Sequence, residues 1–155
     1  MKCLIIITAY NEAENIEKVV DNIIQNYPQY DYIIVNDGST DSTRKICKAK
    51  GYNLLELPVN LGLSGAIKSG IKYANFYKYE YAVKIDGDGQ HDPKYIDDML
   101  RIMREKDADI VIGSRFVNEK KPFSTRMLGS NLISLAILIT TGKKIQDVTS
   151  GMRLF

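Results

Sequence analysis

Cysteine and histidine are scarce in this 155-residue chain: Cys3 and Cys47 are its two thiols and His91 its one imidazole. The cysteines lack metal-ligand or redox spacing, which argues against a zinc site or a disulfide framework. Both read as small buried hydrophobes in a reducing compartment. Charge of one sign is also lacking. The 21 basic and 19 acidic residues leave a net +2 and are interspersed, so nucleic acid is not an expected partner and any anion must be bound locally. The apolar run after Met1-Lys2 soon meets the polar Asn11-Glu12-Ala13-Glu14-Asn15, which does not fit a signal peptide. The longest later apolar run, 132–139, is too short to cross a bilayer and reads as a buried or interfacial helix. Two phosphate-binding devices are missing as well: there is no Gly-x-x-x-x-Gly-Lys-[Ser/Thr], and the first loop has no Gly-x-Gly-x-x-Gly.

What is present is an alternation of strand-like and helix-like segments. Cys3 to Thr8 is a continuous apolar run, as expected of a strand covered on both faces. Ile16, Val19, Val20, Ile23 and Ile24 recur at helical spacing, with Asn11 and Glu14 placed as a capping pair and Pro28 as the stop. Tyr32 to Val35 predicts a strand, Asp41 to Lys50 a helix ending at Gly51, Asn53 to Leu57 a strand and Ser64 to Tyr77 a helix. A fourth strand delivers Asp86, Pro93 opens a helix through Ile96, Met99, Leu100 and Met103, and Asp109 to Gly113 gives a fifth strand. The pattern predicts a single α/β domain with a mainly parallel sheet and helices on both faces, over residues 1–155. With 45% hydrophobic residues the chain can build a core.

In such sheets ligands bind beyond the carboxyl ends of the strands. The polar loops there are Thr8-Ala9-Tyr10-Asn11-Glu12, Asn36-Asp37-Gly38-Ser39-Thr40-Asp41 and Asp86-Gly87-Asp88-Gly89-Gln90-His91-Asp92-Pro93. Asp86 and Asp88, two carboxylates one residue apart, suit a hard cation, with Gln90 as a neutral oxygen and Gly87 letting the backbone approach a ligand. An EF-hand spacing from Asp86 fails because His91 stands where glycine should turn the loop and Pro93 sits inside it. A plain Asp-Gly turn is the bland alternative. Tyr10, Glu12 and Asp37 could meet a nucleoside while a cation at Asp86 and Asp88 neutralises its diphosphate. His91 is read as a hydrogen-bonding or packing residue, and Tyr73, Tyr77, Tyr79 and Tyr81 as packing. Gly62-Leu63-Ser64-Gly65 reads as a turn with close helix packing.

Taken in order with Asn60-Leu61-Gly62, Gly113-Ser114-Arg115-Phe116 and the final Asp147-Val148-Thr149-Ser150-Gly151-Met152-Arg153-Leu154-Phe155, these motifs resemble family 2 glycosyltransferases of the GT-A fold. They are most similar to the dolichol-phosphate and polyprenyl-phosphate sugar synthase branch. The resemblance implies a Rossmann-like three-layer αβα domain and inverting sugar transfer from a UDP-, GDP- or dTDP-sugar. By matching position it implies that Ala9, Tyr10, Glu12, Asp37, Asp86 and Gly87 contact the donor. Asp86, Asp88 and Gln90 would hold Mg²⁺ or Mn²⁺, with Asp88 catalytic. Arg115, Arg126 and Arg153 match positions suited to phosphate, since guanidinium grips phosphate oxygens bidentately. A lipid-phosphate acceptor needs no general base. A saccharide hydroxyl acceptor does, and Asp92 and Asp147 are the candidates.

The sequence departs from the family pattern at Ala9, where proline is common, and in stopping at Phe155, just after the late motif. The expectation is an excised core, or a short member completed on its acceptor side by a membrane protein partner or another subunit. The cysteine usage and the polar stretch at 11–15 set a cytoplasmic location as the expectation, with peripheral association at the cytoplasmic membrane face as an option, and Lys120-Lys121 and Lys143-Lys144 read as solvated charge. A catalytically weak nucleotide-sugar binding subunit is the alternative from another class. A nucleotidyltransferase is disfavoured by the absent lysine-bearing glycine loop.

Overall fold

The structure is a computed structural model describing residues 2–114, 133–134, 138–140, 142 and 150–155. Its elements are β1 Cys3–Ala9, α1 Ile16–Asn26, β2 Asp31–Asn36, α2 Thr43–Ala49, β3 Leu54–Glu56, α3 Gly62–Phe76, β4 Tyr81–Asp86, a 3₁₀ turn Pro93–Tyr95, α4 Ile96–Lys106, β5 Val111–Ile112 and β6 Arg153–Leu154.

All seven residues of β1 are buried because the strand has a helix layer on each side. Side chains alternate across a pleated strand, so its two sets feed two cores. Cys3, Ile5, Ile7 and Ala9 pack with Ile16, Val20 and Ile23 of α1, Cys47 of α2 and Ile96, Met99, Leu100 and Met103 of α4. Leu4 and Ile6 pack with Ile33 and Val35 of β2 and with Ala66 and Ala74 of α3. This is the three-layer αβα arrangement expected. Ile24, read as part of the core stripe, is 45% exposed. It lies about 80° around the helix from Ile16, at the edge of the buried face. Both thiols are buried, and burial pushes Cys3 up to about 12.

The sheet order is β3-β2-β1-β4-β6-β5. The first four strands are parallel, with Thr8 opposite Val35 on one side and Asp86 on the other. Strand β6 was not foreseen. It inserts antiparallel between β4 and β5, pairing Lys84 with Arg153 and Val83 with Leu154. Two residues carry no periodicity, so only tertiary pairing defines this strand.

The expected Asn11–Glu14 capping pair does not form. Helix α1 begins at Ile16 after a turn in which Glu12 O accepts from Asn15 and Ile16 N–H. Asn11 takes the left-handed conformation (φ 58) that asparagine tolerates. Its side chain faces the second loop instead.

Candidate active site

The carboxyl ends of β1, β2 and β4 and the start of α3 surround a cleft of about 430 Å³. Thr8, Ala9, Tyr10, Glu12, Asp37, Asn60, Gly62, Leu63, Ala66, Asp86 and Asp88 line it. The three polar loops predicted from sequence therefore meet in one place.

Asn11 joins the first two loops. Its Oδ1 accepts from Thr40 N–H (2.8 Å) and Asp41 N–H (3.3 Å), and its own N–H donates to Ser39 Oγ (3.0 Å). Glu12 N–H donates to Thr43 Oγ1 and Ala13 N–H to Asp41 Oδ2. Burial raises the Asp41 carboxyl, but hydrogen bonds from Thr43 and Ala13 outweigh it and hold the group below its ordinary 3.8. A depressed folded-state pKa stabilises above the unfolded value and is lost as pH falls below it. Asp41→Ala is expected to cost about 1 to 2 kcal/mol in urea unfolding at pH 7. The gap from the parent should narrow as pH falls below 3.8, whereas a gap independent of pH would contradict the assignment.

Asp37 is 3% exposed. Its N–H donates to Ala9 O, and its Oδ1 accepts from Leu61 N–H at 2.7 Å, pinning the entry to α3. Gly38 follows at φ +68, and a Cβ there would lie 2.7 Å from Asn60 N. That approach lets residues 59–60 close the wall of the cleft. Tyr10 is 47% exposed at the mouth, and Glu12 Oε2 accepts from Asn15 Nδ2 at 3.3 Å.

At the far side, Asp86 Oδ1 accepts from Thr8 Oγ1 (3.1 Å) and from Lys84 Nζ. Asp86 N–H donates to His91 Nδ1 at 3.3 Å, and the same nitrogen lies 3.5 Å from Asp86 Oδ2. Gly151, from the late motif, abuts the same carboxylate: a Cβ there would lie 2.3 Å from Asp86 Oδ2 and 2.4 Å from His91 Cε1. Gly87 is buried beneath the loop, its N–H on Thr8 O, and its Cβ position faces Thr8 O, Glu12 and Ile16. It serves the packing of the first loop on the third. Gln90 is exposed and tied in by its N–H, which donates to Asp88 Oδ1 at 3.0 Å.

Among the described residues no three or more His, Cys, Asp or Glu side chains are grouped to hold a metal. Two cleft carboxylates fit a hard cation that draws its remaining ligands from substrate phosphate and water. Asp92 is not among the lining residues. It caps the 3₁₀ turn, accepting from Lys94 N–H (3.0 Å) and pairing with Lys94 Nζ (2.7 Å). Burial pulls its carboxyl up, yet Lys94 and Tyr27 hold it below its ordinary value, the opposite of what a general base near neutrality needs. Arg153 sits on β6 opposite Lys84, its Nε donating to Ser150 O at 3.3 Å. Arg115, Arg126 and Asp147 lie outside the described residues.

Two contributors escaped the sequence reading. Thr8 looked like the end of a strand. Lys84 looked like one polar residue in an apolar run, although a lysine in a strand buried on both faces is itself a signal, because its charge must be paired.

The mainly parallel sheet with an acidic cleft beyond its carboxyl ends defines an open α/β protein with its candidate site at the usual place for that class, and the chain belongs to glycosyl transferase family 2, whose model matches residues 4–155. It is 31% identical over its full length to the undecaprenyl-phosphate mannosyltransferase of Micrococcus luteus, covering 66% of that protein. It is 33% identical, over 97% of the chain, to the UDP-N-acetylglucosamine–dolichyl-phosphate N-acetylglucosaminyltransferase of Methanococcus voltae, covering 68% of it. The fold is that of glucosyl-3-phosphoglycerate synthase from Mycobacterium tuberculosis, solved with Mn²⁺, UDP-glucose and phosphoglyceric acid. The TM-score is 0.74 at 18% identity, over 99% of this chain and 56% of that one. The chain thus spans about two thirds of the length of these two relatives.

Proposed function

We propose that this chain transfers a sugar, with inversion, from a nucleoside diphosphate donor to a polyprenyl or dolichyl phosphate. The observation that carries the reading is the single cleft joining Tyr10, Glu12 and Asp37 to Asp86 and Asp88. Tyr10, Glu12, Asp37 and the backbone at Ala9 meet the nucleoside. Asp86, Asp88 and Gln90 would hold Mg²⁺ or Mn²⁺, which would supply stabilisation of the charge on the leaving diphosphate. Asp86 Oδ1 accepts from Thr8 and Lys84 while Oδ2 lies against Gly151 and His91, so a cation would draw on the remaining lone pairs of this carboxylate and on the Asp88 carboxylate.

The acceptor phosphate is the nucleophile and Arg153 one of its anchors, with Arg115 and Arg126 assigned likewise from the family pattern. The two relatives' names, both polyprenyl-phosphate transferases, support this acceptor class. So does the engagement of Asp92 as a helix cap, which removes one candidate base for a hydroxyl acceptor. Among the described residues no helix is long and apolar enough to cross a membrane. Val59, Leu61 and Leu63, all more than half exposed, lie at or beside the cleft and suit peripheral contact with the cytoplasmic face where a lipid acceptor resides.

The test is a screen of UDP-, GDP- and dTDP-sugars with a polyprenyl phosphate and Mn²⁺ or Mg²⁺, read by mass spectrometry. A lipid-phosphate sugar with release of nucleoside diphosphate is the expected product. Transfer only to a saccharide would overturn the acceptor, and metal-dependent donor binding with no turnover would make the chain a binding subunit.

A further inference from the structure

Lys84 is 1% exposed in the middle of β4, and among the described residues Asp86 is its one ion-pair partner. The two lie two positions apart on a strand, on the same face of the sheet. The cleft above them carries four carboxylates, Glu12, Asp37, Asp86 and Asp88, and no basic side chain among its described lining residues. Such a cleft attracts a free divalent cation and repels an anionic diphosphate. A buried ammonium against one of the four opposes both tendencies. As a plain stability device the pair is poorly chosen, since the buried ammonium carries a desolvation cost that an apolar side chain of similar volume avoids, and its carboxylate partner is 28% exposed.

We propose that Lys84 is the internal counter-ion of the Asp86 carboxylate, a positioning residue that weakens uptake of a free divalent cation and favours entry of the nucleoside diphosphate. Cation and donor then bind together, not cation first. The inference rests on the donor reading given above, but its sign is measurable without a donor.

Mn²⁺ alone, titrated into the full chain and followed by electron paramagnetic resonance, is expected to bind Lys84→Met on the order of 10-fold more tightly than the parent. The scale is that of a unit charge removed from a partly buried site. UDP and GDP, titrated in the presence of a chelator, are expected to bind the same variant several-fold more weakly. Lys84→Arg, which retains the charge, should return both affinities towards the parental values. A merely structural lesion weakens both ligands together. That result, or unchanged Mn²⁺ affinity in a variant with native circular dichroism, overturns the proposal. Should Lys84→Met fail to fold, Asp86→Asn is compared with Lys84→Met/Asp86→Asn. Tighter Mn²⁺ binding in the double variant supports the counter-ion role, and equal binding overturns it. If UDP and GDP fail to bind the parent under any condition, the donor reading falls, whereas the free-Mn²⁺ comparison stands or falls on its own.

Discussion

Asp88→Asn is expected to make donor binding indifferent to Mn²⁺ and to lower turnover on the order of 10²- to 10³-fold, the loss typical when a charge-stabilising contact to the transition state is removed. The variant isolates charge from shape. Asp88 is only partly buried, and its described partner is the Gln90 N–H on Oδ1, which an asparagine oxygen can accept equally well. Stability should therefore change by less than about 0.5 kcal/mol, the range of surface changes that break no buried contact. Donor titrations with and without Mn²⁺ decide the matter. In the variant the two curves should superimpose, and a retained gap would remove Asp88 from the cation site.

Gly151→Ala comes next in size, although it changes a single methyl group. The added Cβ would enter the space of Asp86 Oδ2 and the His91 ring. Neither neighbour can yield freely: Asp86 is tied to Thr8 and Lys84, and the His91 ring takes the Asp86 N–H. The acidic loop must shift as a unit. Overpacking of this kind costs about 1 to 3 kcal/mol, and a displacement near 1 Å of a group that orients substrate costs on the order of 10²-fold in rate. The expected signature is a large loss of donor affinity with a modest loss of stability in urea. Parental donor binding in a folded Gly151→Ala chain would show that the late motif does not brace Asp86.

These expectations divide along the line between what a sequence displays and what only tertiary structure reveals. The first four strands and their helices were legible because apolar runs and helical spacing are local properties, and the 3–9 run is buried on both faces as its composition demands. The convergence of the loops at Asp37, Asp86 and Asp88 followed from the rule for parallel sheets. Asn11 was misjudged because its spacing from Glu14 mimics a capping box, while its real partners, Thr40 and Asp41, lie about 30 positions away beyond one helix and one strand. Asp92 was available to sequence reasoning as a base, but Pro93 directly after it already marks a helix start, where an aspartate caps. Lys84 and Gly151 owe their importance to neighbours brought together by the sheet, and no period or motif reports that.

The insertion of β6 between β4 and β5 has a consequence for how the molecule is made. Val83 must wait for Leu154, about 70 residues later in synthesis, before β4 gains its second neighbour. This contact closes a loop of about 70 residues, and the bracing of the acidic loop by Gly151 depends on that closure. Until then β4 is an open edge of unpaired backbone next to an apolar interior, the place where nascent or refolding chains would pair with one another.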